Sequence, residues 1–458
     1  MDENPSALLP EILLAVAAIV GLLLGSYLPR HRQWLVRLLA AAACGAGVVA
    51  TVVSENMAVF GGTYVVDVAT NATRVVVMVS VVLVLCLADP IRGMARESEF
   101  VVLLVLAALG SVLLAGSNDL MLLAAAYLLA SIPLYALAGF AKDAPGTEAS
   151  LKFYLMGALL GVTTLAGVVV VFGLGGATEY TALSTGLATA PRLAVAVGVV
   201  AVLAGLLFKA GAVPAHFWVP DVTEGSGAVA AAFITTVPKI GAVVAIHRLI
   251  TVASARLDWA LVVAVIAAAT MTLGNLAAFF QDNVRRLLAY STISQVGYLL
   301  VGVAAAGHSD LALPAVLLYL GGYAVTNLGA FAVVCALPAA TVLADFRGLL
   351  RRRPWLAVSL VVVLLGLVGT PPTVVFAGKL TVFTAALDAG LLWLVVVAVV
   401  NTVASVFYYL RWIGPAVRGE PADMPEPTRW AVHTAYGAAA GSVLLGVLTG
   451  PLLAALGA

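Results

Sequence analysis

The chain has 458 residues, of which 63% are hydrophobic and 10% charged, with a formal net charge of +1 and a mean hydropathy of +1.12. Soluble domains carry ~25% charged residues, so a water-soluble globule is excluded, and at ~20 apolar residues per span there is room for well over ten helices. The balanced charge gives no electrostatic basis for nucleic-acid binding.

Cys44, Cys86 and Cys335 lie far apart in apolar runs and cannot hold an iron–sulfur cluster, which usually needs four thiolates. Neither a G-x-G-x-x-G nor a G-x-x-x-x-G-K-[ST] motif occurs, so a nucleotide site is not expected. The reading is an all-α polytopic membrane protein.

In chain order, apolar stretches parted by charged or Gly/Pro-rich breaks predict fourteen spans. They cover about 8–28, 34–53, 73–88, 98–115, 119–140, 149–174, 192–218 and 228–250, then 257–280, 286–306, 311–337, 355–387, 390–413 and 430–456. The stretch 355–387 is too long for one straight helix, and Gly369-Thr-Pro-Pro372 interrupts it. The seventh span carries a similar break at Gly211-Ala-Val-Pro214. The runs are continuously apolar rather than alternating, which argues against outer-membrane strands. Asp2 and Glu3 precede the first span where a signal peptide would have basic residues, so it is read as a helix that stays.

Alternate loops divide the basic residues unevenly. One side holds Arg30, Arg32, Arg37, Arg92, Arg96, Lys142, Lys152, Arg285, Arg286, Arg347, Arg351, Arg352, Arg353, Arg411, Arg418 and Arg429; the other holds Arg74, Arg192, Arg248 and Arg256. The positive-inside rule places the first set in the cytoplasm and both termini outward.

Three lysines remain inside spans: Lys209, Lys239 and Lys379. A charge at a helix centre costs roughly 2.5–3.5 kcal/mol on insertion scales, so each needs a reason. Lys239 lies mid-span, and Lys209 and Lys379 lie within a few residues of a helix break. Freed carbonyls at such breaks can solvate an ammonium. Burial penalises the charged form, so a lysine there can load and release a proton near neutral pH. The reading is a proton relay; the bland alternative is a buried tether between helices.

Polar residues able to wet a path accompany them: Thr235, Thr236, Asn275, Tyr290, Ser291, Ser294, Gln295, Tyr323, Thr326, Asn327 and Asn401. Singly, each is more often an interhelical hydrogen bond. His216 is read as orienting a loop, and His247 as an exit group or an interfacial residue. Asp221 and Glu224 follow the seventh span on the cytoplasmic side, where loop carboxylates are usually just solvated. No span holds His, Cys or carboxylate pairs at metal-ligand spacing.

At these residues the sequence resembles the antiporter-like membrane subunits of respiratory complex I, which are related to Mrp-type sodium/proton antiporter subunits. The resemblance covers nearly the whole chain. Leu8-Leu-Pro-Glu-Ile12 is similar to the opening of the N-type subunits. Further similar segments are Ser117-Asn-Asp-Leu-Met121, Ile132-Pro-Leu-Tyr135, Glu148-Ala-Ser-Leu-Lys-Phe-Tyr154, Phe208-Lys-Ala-Gly-Ala-Val-Pro-Ala-His-Phe-Trp218 and Pro220-Asp-Val-Thr-Glu-Gly225. The strongest are Arg286-Leu-Leu-Ala-Tyr-Ser291 with Gly297-Tyr298, and Gly369-Thr-Pro-Pro372 with Gly378-Lys379.

The resemblance implies two inverted five-helix repeats, at 98–254 and 255–418, after three leading helices in 1–97 and before a last helix in 419–458. Each repeat has a broken helix carrying a lysine, here Lys209 and Lys379. With Lys239 these form a proton-carrying chain driven by quinone reduction elsewhere in an NADH–quinone oxidoreductase. Supporting polar positions are His247, Tyr290, Ser294, Gln295 and Glu224. Quinone, FMN and iron–sulfur clusters are expected in partner subunits and no cofactor in this chain. The partners are other antiporter-like and small helical membrane subunits within the bilayer of the plasma membrane.

Two positions depart from the family. It usually places a glutamate in span 5; aligning on Pro133 puts Leu128 there, and no acid occurs from Leu120 to Lys142. Tyr127 is the closest polar neighbour. Span 10 often carries a histidine where Gln295 stands. Two other readings stay open: a subunit of a multi-subunit sodium/proton antiporter, and a non-pumping spacer.

Overall fold

The computed structural model describes residues 5–88, 96–254, 257–420 and 426–458. Arg92, Arg256, Asp2 and Glu3, which entered the loop and leader readings, lie outside the described residues.

The chain runs as α1 (Leu9–Tyr27), α2 (Trp34–Val52), β1 (Met57–Val59), β2 (Tyr64–Val66), α3 (Val68–Leu87) and α4 (Glu97–Gly116). It continues as α5 (Leu120–Leu129), α6 (Ile132–Ala138), α7 (Ala144–Gly175), α8 (Tyr180–Leu187), α9 (Arg192–Ala210), α10 (Trp218–Gly225), α11 (Ala228–Ala253) and α12 (Ala260–Ala278). The remainder is α13 (Val284–Ala304), α14 (Ala312–Ala336), α15 (Leu349–Arg352), α16 (Pro354–Val368), α17 (Val374–Asp388), α18 (Leu392–Val417), α19 (Arg429–Val447) and α20 (Thr449–Ala455). Twelve helices among the described residues are long and apolar enough to cross a membrane, one of them formed by α5 and α6 together.

Of the fourteen expected spans, two are not among these twelve. The stretch 355–387 is two helices of fifteen residues, α16 and α17. The last segment is α19 bent by 74° into α20. The segment 192–218 is one helix, a break, and the first residue of α10. A short antiparallel hairpin, with Met57 opposite Val66, joins α2 to α3.

Two compact units form. The first comprises Met1–Leu85, Ile91–Trp218 and Val237–Val262; the second comprises Cys86–Pro90, Val219–Thr236 and Val263–Ala458. In the first, α1 packs on α2 and α4, and α7 on α9. The helix α7 turns Leu159, Val162 and Val169 outward, as expected for a surface solvated by hydrocarbon. In the second, α14 packs on α16, α17 and α19 and is almost wholly buried.

Backbone hydrogen bonds tie alternate connections together within each unit. In the first, Asn118 donates to Thr63 O, Leu120 to Thr178 O and Tyr180 to Asn118 O. In the second, Val284 donates to Thr341 O, Leu343 to Asp282 O and Gly348 to Pro415 O. These connections of each unit therefore lie side by side.

Several of the basic residues sorted by side lie within helices, among them Arg37, Lys152, Arg248 and Arg411 near helix ends, and one is wholly buried. Arg74 lies inside α3 with no exposed side chain. Its Nε and Nη2 donate to the Glu11 carboxylate at 2.7 and 2.8 Å, Nη2 also to Ala7 O at 2.9 Å, and Nη1 to Asn71 Oδ1 at 3.0 Å. Tyr64 Oη donates to the same carboxylate at 2.6 Å. The helix α3 begins at Val68, five residues before the apolar run that marked it, because the polar side chains of Thr70, Asn71 and Thr73 face partners rather than lipid.

Removing one member of such a pair strands the other. Arg74→Met is expected to destabilise the solubilised protein by about 3–5 kcal/mol, read as a lower midpoint in thermal unfolding. The Glu11→Gln/Arg74→Met double variant is expected to regain much of that loss; equal loss in both would show that the charge pairing is not the cause.

Candidate functional site

The first lysine depends on an interruption in the fifth predicted span. Pro133 has no N–H for the carbonyl of Leu129, and Leu134 N bonds Ser131 O rather than Ala130 O. The turn at Ala130–Ser131 separates α5 from α6 and leaves Ala130 O without a helical donor. Lys209, in the last turn of α9 and 2% exposed, fills that vacancy. Its Nζ donates to Ala130 O at 3.0 Å and to Ser131 Oγ, and stands 5.1 Å from the ring centroid of Tyr127.

At the position aligned with the family's glutamate, the packing distinguishes two neighbouring residues of α5. Leu128 is 41% exposed, whereas Tyr127 is buried and turns its ring to Lys209. Adjacent residues of a helix point about 100° apart, so the residue that faces the ammonium is Tyr127.

The end of α9 is closed independently. Gly211 has φ +82° and returns its N–H to Leu207 O and Phe208 O, while Trp218 Nε1 donates to Phe208 O at 2.9 Å. The Trp218 indole stacks on Phe153 at 4.3 Å between centroids. His216 is buried in the intervening segment, its ring 4.5 Å from that of Phe217.

The second unit repeats the device. Gly369, at φ +90°, ends α16; a Cβ there would lie 2.9 Å from Lys379 Cδ, so conformation and space both demand glycine. Both breaks hold a cis X–Pro bond, Val213–Pro214 and Pro371–Pro372. Lys379, 3% exposed in α17, donates to Val368 O at 2.9 Å and lies 3.8 Å from the Tyr298 ring centroid. Gln295 Nε2 donates to the neighbouring Leu367 O at 2.7 Å and accepts from Tyr319 Oη at 2.6 Å. The last carbonyls of a helix lack intrahelical donors and carry its negative dipole end; an ammonium and an amide satisfy them here.

Lys239 is fully buried in α11, one residue after Pro238. Ser111 Oγ donates to Val237 O at 3.0 Å and accepts from Gly241 N at 3.2 Å, bridging the helical link that spans Lys239. A Cβ on Gly241 would fall 2.0 Å from Ser111 O, so this approach of α4 to α11 admits no side chain.

Most of the predicted polar residues of the second unit meet. Tyr323 Oη donates to Thr235 O at 2.9 Å and contacts Thr292 Oγ1 at 3.0 Å. Asn327 Nδ2 donates to Thr236 Oγ1 at 2.8 Å, and Thr326 pairs with Ser442. Asn275 Nδ2 donates to Asn401 Oδ1 at 3.0 Å, Tyr408 Oη donates to Asn275 Oδ1 at 3.2 Å, and Ser291 pairs with Tyr409. Thr402 Oγ1 donates to Tyr298 Oη at 3.2 Å. Ser294 is fully buried beside Gln295, while Tyr290 is half-buried.

The acids after the seventh span form a structural clasp: Arg286 Nη1 lies 2.8 Å from Glu224 and 3.4 Å from Asp221. His247 is half-buried next to Arg248, which holds Asp67 in a bidentate pair. Sequence reasoning missed the buried Glu11–Arg74 pair, the Ser111 bridge and the Ala130–Ser131 turn; Arg74 within an apolar run and Pro133 within a span were the available signals.

With this geometry in hand, the family can be stated. A family model described as NADH:quinone oxidoreductase/Mrp antiporter, transmembrane, matches residues 117–405, which hold all three lysines. The chain belongs to this family of polytopic membrane proteins. Among its relatives, NADH-quinone oxidoreductase subunit N 1 of Streptomyces griseus subsp. griseus is 55% identical, the match covering 100% of this chain and 99% of that one. A chain in respiratory complex I from Thermus thermophilus with bound aureothin has 31% identity and a TM-score of 0.86, over 98% of this chain and 99% of that chain. A chain in the Mrp complex from a Dietzia species reaches the same TM-score at 23% identity, over 99% and 96%, a likeness of fold alone.

Gln295→Leu would leave Leu367 O and Tyr319 Oη buried without partners and is expected to cost about 1–3 kcal/mol each. Thermal unfolding of the solubilised protein reads this directly; an unchanged midpoint would show that other partners take over both groups.

Proposed function

We propose that this chain serves as the N-type membrane subunit of an NADH–quinone oxidoreductase and moves protons on Lys209, Lys239 and Lys379, driven by quinone reduction in partner subunits. The observation that carries the reading is a buried ammonium at the carbonyl end of an interrupted helix, once in each compact unit. An ammonium so held is charged without leaving water entirely uncompensated, and it can give up its proton without unfolding its surroundings. The residue ranges 98–254 and 255–418 are the two inverted repeats of this scheme. Gln295 and Tyr319 hold the end of α16 in shape, and Thr235, Thr236, Tyr323 and Asn327 supply hydroxyl and amide groups for transfer.

The chain is a multi-pass membrane protein. In this reading it lies in the plasma membrane with its arginine-rich loops in the cytoplasm and both termini outward, as the asymmetry of basic residues favours. Quinone, FMN and iron–sulfur clusters belong to the other subunits, whose electron transfer supplies the driving force.

The test starts from mild-detergent purification of the tagged chain from native membranes, with mass spectrometry and an NADH:quinone assay. Co-purified iron–sulfur and quinone-site subunits with activity are the expected result. Recovery with small membrane partners alone, and proton movement driven by a sodium gradient without redox substrate, would favour the antiporter reading instead. In inverted vesicles, Lys209→Ala and Lys379→Ala are each expected to lower proton pumping roughly 10-fold or more; unchanged pumping in both would reject the relay and leave a spacer.

A further inference from the structure

The two broken-helix lysines share a feature that neither their position nor the resemblance supplies. Neither ammonium has a carboxylate partner among the described residues: Lys209 has Ala130 O, Ser131 Oγ and the Tyr127 ring, and Lys379 has Val368 O and the Tyr298 ring. Both rings are buried, and both lie within the ~6 Å at which an aromatic face attracts a cation. The ring and the lysine come from α5 and α9 in one unit and from α13 and α17 in the other, which are the second and fourth spans of each proposed repeat, while the carbonyl comes from α5 in the first site and α16 in the second. The same pairing of one helix-end carbonyl and one tyrosine face therefore arises twice.

From this we infer that Tyr127 and Tyr298 are positioning residues that stand where a carboxylate would otherwise balance the charge, each stabilising the loaded lysine through its ring. The inference rests on the proton-carrying reading of Lys209 and Lys379.

The chemistry differs from an ion pair in a definite way. When a lysine paired with a carboxylate loses its proton, it leaves a bare buried anion, which is costly. A ring and a carbonyl dipole attract the ammonium yet carry no net charge, so the site is balanced after the proton has left. Loading then changes the local charge by one whole unit, with no ion pair to make or break. Tyr127 and Tyr298 differ in their hydroxyls. Tyr298 Oη accepts from Thr402, whereas Tyr127 Oη is buried with no protein partner among the described residues. What the two sites have in common is the ring, so the ring is what the test must isolate.

The test uses the assembled complex in inverted membrane vesicles, with NADH-driven quinone reduction and proton pumping measured together from pH 6 to 9. Tyr127→Leu and Tyr298→Leu remove the face and are expected to lower protons moved per NADH about 3- to 10-fold, with the alkaline limb of pumping shifted about half a unit toward lower pH. Tyr127→Phe and Tyr298→Phe keep the face and are expected to rescue most of the loss. Because a leucine can also disturb packing, a graded series of fluorinated phenylalanines at each position holds shape while weakening the face. A stepwise shift of the alkaline limb with fluorination supports the inference. Pumping and pH profile that ignore fluorination, while Lys209→Ala and Lys379→Ala abolish pumping, would overturn it and leave the lysine reading standing. Lysine variants that pump normally would bring down both.

Discussion

Everything distinctive in this protein follows from one constraint: a charge carried into hydrocarbon must find polar partners there, and the backbone is the nearest source. A continuous helix offers none, because its carbonyls are already bonded along the chain. An interrupted helix offers its last few. Both broken-helix lysines are placed to use this supply, one at the end of α5 and one at the end of α16. Glycine and proline therefore matter here less as flexible points than as the means of exposing a carbonyl at the right depth.

The rest of the buried polar chemistry obeys the same accounting by different routes. Glu11 and Arg74 neutralise each other with Tyr64 and Asn71 completing the set. Ser111 inserts its hydroxyl beside Lys239. Gln295 spends its amide on a second carbonyl of the α16 end, next to the one taken by Lys379. The first of these is an ion pair with a stabilising role, and it is fully compensated. Lys209 and Lys379 are compensated by dipoles and rings, which hold a cation but do not require one. In the proposed scheme, that difference separates a tether from a group able to exchange a proton.

Much of this was legible in one dimension. The apolar runs marked nearly every helix, the Gly/Pro clusters at 211–214 and 369–372 marked the breaks after α9 and α16, and the three lysines stood out by cost alone. Arg74 was sorted with the loop residues, although it is buried inside α3. Leu128 takes the place of the family's glutamate by alignment on Pro133, while the residue whose ring meets Lys209 is its neighbour Tyr127.

Class, span order and the identity of the buried cations are local properties: hydropathy, residue spacing and turn chemistry act over a few residues, so the sequence by itself determined them. The partners of those cations are not local. Ala130 lies 79 residues from Lys209, and Tyr298 lies on a different helix from Lys379. A rotation of one residue about α5 exchanges a tyrosine face for a leucine. Only the packing of α5 against α7 and of α13 against α17 sets that rotation, because it depends on how whole helix surfaces fit, which no single segment encodes.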